Sequence, residues 1–246
     1  MKLSVVIPAR NEARNISATL AALQSRLDAE SLDYEIIVVD DGSTDATPQI
    51  LRELAHASAR VLPIHNPGPN GFGRAVRRGI DAITGAAVVI CMADGSDDPE
   101  DVLRYYRVLR DEAECAFGSR FAPGARVHDY PRVKLVVNRL ANWFIKLLFR
   151  LDYDDVTNAF KGYRTYVLHG CQPLLSPHFN LTVELPLKAI VRGYSYKVLP
   201  ITWRNRRFGV SALHLEEQGS RYLFVVLIVW LEKLLTRGDY VRRDGE

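Results

Sequence analysis

The feature that most constrains this chain is an alternation in its first half. Five short apolar runs, LSVVI (3–7), YEIIVVD (34–40), ARVLPI (59–64), AAVVIC (86–91) and ECAFGS (114–119), are separated by stretches of helical periodicity near 12–27, 45–57, 71–83 and 99–110. The runs are rich in β-branched and other apolar residues and bounded by turn formers, which makes them strands. Strands and helices alternating at this spacing predict an α/β fold, with a mostly parallel, Rossmann-like central sheet flanked by helices. Thr44 or Asp45 is placed to cap the second helix, and Pro99, after Ser96 to Asp98, suits the start of the fourth.

With 246 residues, 48% of them hydrophobic and 25% charged, the chain has the makings of one large core, and disorder is not expected. Its three cysteines, Cys91, Cys115 and Cys171, show no pairing pattern, which favours a reducing compartment over a disulfide scaffold or zinc cluster. MKLSVVIPARNEARN turns polar after seven residues and is read as a first strand rather than a signal peptide. Charge is divided unevenly: residues 1–118 carry net −6 and residues 119–246 net +9. The second half is thus suited to an anionic partner, whether nucleic acid, anionic lipid or a phosphate-bearing substrate, or it is a basic face with none.

In open α/β sheets, sites form beyond the carboxyl ends of the strands. Three loops therefore matter most: PARNEARN, DDGSTDAT and MADGSDDPED. Asp40 and Asp41 close one strand and Asp94 follows another, so carboxylates from two strands can converge. Such oxygen ligands suit Mg²⁺ or Mn²⁺, with a diphosphate completing the shell. Helix capping is the competing role for Asp94, Asp97 and Asp98. NPGPNGFGRAVRRG (66–79) has no Walker lysine and no dinucleotide fingerprint, so Gly71 and Gly73 either approach a phosphate or make a tight turn. The six histidines are scattered singly, against a zinc hydrolase.

After Arg120 the pattern changes. FAPGARVHDYPR reads as a loop; PRVKLVVNRLANWFIKLLFRL (131–151) has helical length and mixes aromatic with basic residues. It suits either a membrane surface or packing with its basic groups in solvent. YLFVVLIVWLEKLL (222–235) is too short an apolar run to span a bilayer. A helix near 182–192 holds Glu184, either facing a core loop or contacting sugar. FKGYR reads as a strand with Lys161 and Arg164 on its solvent side, and Tyr194, Tyr196 and Trp203 read as packing. No aromatic-basic platform or docking helix supports nucleic-acid binding.

VVIPARNEARNI, VVDDGSTDAT, MADGSDDPED, GSRF (118–121), DDVTNAFKGYR (154–164) and LPITWRNRRFGVS (199–211), in that order, resemble family 2 glycosyltransferases, in particular the dolichol- or polyprenyl-phosphate hexosyltransferase branch. The resemblance implies a GT-A fold. It further implies inverting, Mg²⁺- or Mn²⁺-dependent transfer of mannose or glucose from GDP-mannose or UDP-glucose to a polyprenyl or dolichyl phosphate. Residues 1–120 would form the donor and metal part, 121–212 the acceptor part, and 213–246 a helical segment suited to a membrane surface. That places the enzyme in the cytoplasm, peripheral on the inner face of the membrane.

Carried over by position, Pro8, Ala9, Asn11 and Glu12 face the nucleotide, Asp40 contacts the base with Asp41 beside it, and Asp94 holds the metal with Ser96. Arg120, Arg132, Arg139, Arg206 and Ser211 are expected at the acceptor phosphate, with Asp94, Arg120 and Arg206 counted as catalytic. The chain departs from the family pattern twice: Met92 stands where an aspartate is usual, and Ala212 follows Ser211 where a lysine is usual. An ionised phosphate acceptor needs no strong base and is held by arginines. An alcohol acceptor needs a carboxylate or histidine to take its proton. The alternatives are a glycosyltransferase acting on a saccharide or other hydroxyl, and a non-catalytic, membrane-associated nucleotide-binding scaffold.

Overall fold

The computed structural model describes residues 1–205 and 215–242. In chain order these form β1 (Leu3–Ala9), α1 (Ile16–Ala29), β2 (Tyr34–Asp40), α2 (Thr47–Ala57), β3 (Val61–His65), α3 (Phe72–Ile80), β4 (Ala87–Ile90), α4 (Pro99–Asp111) and β5 (Cys115–Ser119). There follow β6 (Arg126–His128), α5 (Arg132–Phe149), β7 (Lys161–Arg164), α6 (Thr165–Gly170), α7 (Leu181–Val191), β8 (Tyr196–Pro200), β9 (Thr202–Arg204) and α8 (Leu215–Leu235). The segment 121–132, read from sequence as a loop, contributes β6, which pairs in parallel with β9 as a two-stranded sheet.

The main sheet has seven strands in the order β3-β2-β1-β4-β7-β5-β8. All neighbours are parallel except β7, which runs antiparallel between β4 and β5. This is the GT-A-like architecture, a central sheet flanked by helices. Period-two alternation sorts the strand side chains between its faces. Leu3, Val5, Ile7, Ile36, Val38 and Val89 join α1 and α4 in one cluster, while Val6, Val88, Ile90 and Phe117 join α3, α5, α7 and α8 in another. Both faces are covered, so β1, β2 and β4 are apolar almost throughout.

From β1 the chain builds outward through β2 to β3, then returns to place β4 on the other side of β1. That reversal opens a crevice at the carboxyl ends of β1, β2 and β4, the usual ligand position in such sheets. Residues beyond position 120 complete the same sheet through β7 and β8. Lys161, expected on the solvent side of its strand, is instead 1% exposed in the core, because β7 is covered on both faces. The outward faces of α5 and α8 carry exposed apolar residues, among them Leu140, Trp143, Leu147, Phe224 and Leu235.

Candidate active site

The crevice begins with two loops that hold each other. Asn11 adopts a left-handed φ of 56°, which asparagine tolerates better than most residues. Its N–H donates to Ser43 Oγ at 2.9 Å and its Oδ1 accepts Thr44 N–H at 2.8 Å. Glu12 N–H donates to Thr47 Oγ1 at 2.9 Å, and Ala13 N–H to Asp45. Asn11 and Glu12, expected to face the nucleotide, therefore shape its loop by tying it to the one after β2. Pro8 and Ala9 end β1, buried beside it.

Asp40 and Asp41 follow different chemistries. Asp40 accepts Ser43 N–H at 3.1 Å, and its other oxygen lies 3.3 Å from His65 Nδ1 at the end of β3. Asp41 accepts Asn66 Nδ2 at 2.6 Å and Gly71 N–H at 2.8 Å, fixing the loop that enters α3. Both Asp41 oxygens thus serve the scaffold. Gly71 and Gly73 make the tight approach rather than a phosphate cradle: a Cβ on either would stand 2.3 Å from the backbone carbonyl of Pro177 or Ser176.

After β4 the acidic loop divides its carboxylates among separate tasks. Asp94 accepts Ser96 N–H at 3.1 Å, with Gly95 turning the chain at φ 71°. Asp97 accepts Met92 N–H at 2.9 Å, so it braces the residue standing where the family carries an aspartate. Burial pushes the Asp97 carboxyl up to about 8, with the Asp94 charge adding to it and the Met92 bond and Arg120 opposing. Asp98 caps α4 through Glu100 N–H. Asp101 accepts Thr202 N–H at 2.7 Å, tying α4 to β9, and Trp203 bridges back to Asp97.

At the end of β5, Arg120 is not left for substrate in the way the sequence suggested. Its guanidinium forks onto Asp155, Nε at 2.8 Å and Nη2 at 2.7 Å, and its backbone N–H meets the same carboxylate at 2.9 Å. Burial works against its charge, but the Asp155 charge and bonds outweigh it and raise the guanidinium pKa. Nη1 donates to Tyr130 Oη at 3.2 Å, and Tyr130 packs 5.0 Å from Trp203. Arg139, half exposed, lies 3.5 Å from Asp154 and over the Phe121 ring. Arg132 is exposed at the start of α5. Arg206 and Ser211 lie outside the described residues.

Glu184 faces a core loop: it accepts Leu175 and Ser176 N–H, both at 2.7 Å, and pairs with Lys188. Sequence reasoning singles out the segment 66–79 for its glycines, but not the partners of Asp41 and Asp40, Asn66 and His65, although His65 ends β3 and Asn66 follows it at the same edge of the sheet. The rule applied to the other three loops would have found them. Asp155 had no pattern to mark it as the partner of Arg120.

Among the described residues no group of three or more His, Cys, Asp or Glu side chains is arranged to hold a metal ion. The donor set at the end of β4, a carboxylate and a serine hydroxyl, is hard oxygen, which fits Mg²⁺ or Mn²⁺ whose remaining ligands come from a substrate diphosphate.

The family described as glycosyl transferase family 2 matches residues 4–170. A polyprenol monophosphomannose synthase of Mycolicibacterium smegmatis is 34% identical over 215 residues, covering 85% of this chain and 80% of that protein. Glycosyltransferase AglD of Haloferax volcanii is 31% identical over 209 residues, 82% of this chain and 33% of that protein. Among solved structures, glucosyl-3-phosphoglycerate synthase from Mycobacterium tuberculosis, in complex with Mn²⁺, UDP and phosphoglyceric acid, matches with a TM-score of 0.67. It is 20% identical, covering 99% of this chain and 80% of that one. Further complexes of that enzyme hold Mg²⁺ with UDP, or Mn²⁺ with UDP-glucose and phosphoglyceric acid.

Against the narrower expectation of a polyprenyl-phosphate branch stand these structures, which at 20% identity share the fold, whereas the 34% identical relative is named a polyprenol monophosphomannose synthase. The complexes whose fold matches nearly the whole chain hold UDP-glucose and phosphoglyceric acid, a small hydroxyl-bearing molecule. These complexes do not support polyprenyl or dolichyl phosphate as the acceptor, or a membrane surface as a partner. Among the described residues no helix is long and apolar enough to cross a membrane.

Proposed function

The chain belongs to glycosyl transferase family 2 and is a nucleotide-sugar-dependent hexosyltransferase; from that premise we propose that it transfers glucose from UDP-glucose to the hydroxyl of a small, phosphate-bearing acceptor such as phosphoglycerate. The carrying observation is the switch point of the sheet, where Asp40 ends β2, Asp41 follows it and Asp94 follows β4, all at the carboxyl edge. The likeness to the glucosyl-3-phosphoglycerate synthase complexes supports the choice of donor and acceptor. Residues 1–120 are the donor half of this reading and 121–212 the acceptor half. Three buried free cysteines fit a cytoplasmic location.

In this reading Asp40 meets the base, Asp94 and Ser96 face the diphosphate, and Asp41 keeps the entry to α3 in place. A bound Mg²⁺ or Mn²⁺ offsets charge on the leaving diphosphate. The acceptor oxygen bonds to the anomeric carbon as the bond to the diphosphate breaks, with inversion, and the hydroxyl proton passes to a carboxylate. Asp155 is engaged by Arg120 through both oxygens. Asp97, beside Asp94 and Trp203, is the carboxylate we assign as base. Arg120 and Arg139 border the acceptor phosphate.

The test is transfer of label from UDP-glucose, with GDP-mannose as control, into phosphoglycerate, with and without Mn²⁺ or chelator. Metal-dependent label in phosphoglycerate, lost in Asp97→Asn with donor binding intact, is the expected result. Label that enters only an organic phase containing polyprenyl phosphate overturns the acceptor.

A further inference from the structure

Helix α7 contains a proline, Pro186, in its interior. Proline has no N–H and its ring crowds the carbonyl four residues earlier, so Thr182 O loses the donor that a regular α-helix would supply from position 186. That carbonyl belongs to a buried residue, where an unmade bond is costly. The missing donor comes from the sheet. Lys161 Nζ, at the start of β7, donates to Thr182 O at 3.1 Å, to Val156 O at 2.9 Å and to Asn158 O. An ammonium has three N–H groups, and here each meets a carbonyl, two from the loop before β7 and one from the opened turn of α7. Burial pulls the Lys161 pKa down to about 7, the Asp155 charge opposing and Arg120 adding to the fall. A buried ammonium held at this cost fixes two segments at once.

Each of those segments carries a second tie. The loop holding Val156 and Asn158 also supplies Asp155, the partner of Arg120. The turn before α7, bonded to Thr182 through Phe179 O, reaches α3: Phe179 stacks on Phe72 with centroids 4.3 Å apart, next to the Gly71 N–H held by Asp41.

We propose that Lys161 is a positioning residue, which fastens the Asp155 loop to the proline-opened turn of α7 and so holds Arg120 in a fixed place for an anionic acceptor. This rests on the reading that the acceptor binds in this half of the site.

The test uses the full chain with Lys161→Met, Pro186→Ala and both changes together. UDP-glucose affinity is measured by calorimetry with Mn²⁺, transfer kinetics with phosphoglycerate, and Tm by calorimetry. Lys161→Met is expected to raise the acceptor KM by about tenfold, the size of one charged hydrogen bond, and to leave donor Kd within about twofold. Pro186→Ala returns an N–H to Thr182 O, so in the double variant part of the lost acceptor affinity and of the lost Tm returns. Should Lys161→Met not fold, Lys161→Gln, which keeps two of the donors, carries the same readings. An unchanged acceptor KM, an equal loss on the donor side, or Tm shifts that simply add overturns the proposal. If the unmodified protein transfers nothing to phosphoglycerate, the functional reading falls, and the thermal cycle alone decides whether Lys161 and Pro186 act through Thr182.

Discussion

Replacing Asp155 by asparagine preserves shape and removes charge, which makes it the sharpest probe of the acceptor half. Asp155 is fully buried, Arg120 has a 7% exposed side chain, and the carboxylate receives three N–H groups from that one residue. The variant leaves a buried guanidinium without its counter-charge, and breaking a buried pair from one side costs about 3–5 kcal/mol. For a chain of this length each kcal/mol moves Tm by about 2–4 °C, so a fall of roughly 6–20 °C is expected by scanning calorimetry. Asp154→Asn is the internal control. Its partner Arg139 is half exposed, and such surface pairs contribute about 0–1 kcal/mol. Replacing both partners, Arg120→Met with Asp155→Leu, removes the desolvation cost together with the attraction and is expected to recover most of the lost stability while abolishing acceptor binding. An Asp155→Asn shift no larger than that of Asp154→Asn would refute the claim that Arg120 is held chiefly by protein.

Three further perturbations test other parts of the structure. Glu35, at the opposite end of the sheet, is buried, which works to raise its pKa, but bonds from Lys2, Ser4 and Thr84 outweigh this and bring it from 4.5 to about 2. Its contribution to stability is complete above the unfolded value and disappears as pH falls towards 2, so Tm plotted against pH should lose part of its acid limb in Glu35→Gln; an unchanged limb counts against it. In Gly73→Ala the new Cβ meets Ser176 O at 2.3 Å, and a loss of about 1–3 kcal/mol in urea unfolding is expected despite the better helix former, because backbone must shift. Asp94→Ala should erase the Mn²⁺-dependent part of UDP binding in calorimetry, and retention of that dependence removes Asp94 from the metal shell.

How far the sequence foretold this structure varies with the range of the interaction involved. β1, β2 and β4 are buried on both faces, so their apolar runs announce themselves, and the loops at their ends follow from the rule for open sheets. Asp98 before Pro99 is a local signal and caps the expected helix. β7 is different: four residues, KGYR, inserted antiparallel between β4 and β5. Its short, partly basic sequence gave no sign that a lysine would point into the core. The pairing of Arg120 with Asp155 spans 35 positions, and nothing in either segment's periodicity carries it. Met92 was visible as a departure from the family pattern, but only the fold shows that Asp97 reaches back to hold its N–H.

The same contrast bears on where acceptor choice resides. In the proposed donor half the loops after neighbouring parallel strands hydrogen-bond to one another, Asn11 to Ser43 and Asp41 to Gly71, on a sheet whose register leaves little freedom. In the proposed acceptor half the ties join a strand end to an irregular loop and that loop's strand to a helix: Arg120 with Asp155, and Lys161 with Thr182. Loops accept changes of length and sequence that a covered sheet does not, so the second half can be re-aimed while the crevice at the switch point stays fixed. A change of acceptor within one fold therefore requires few changes near Asp40 and Asp94 and several around Arg120 and α7.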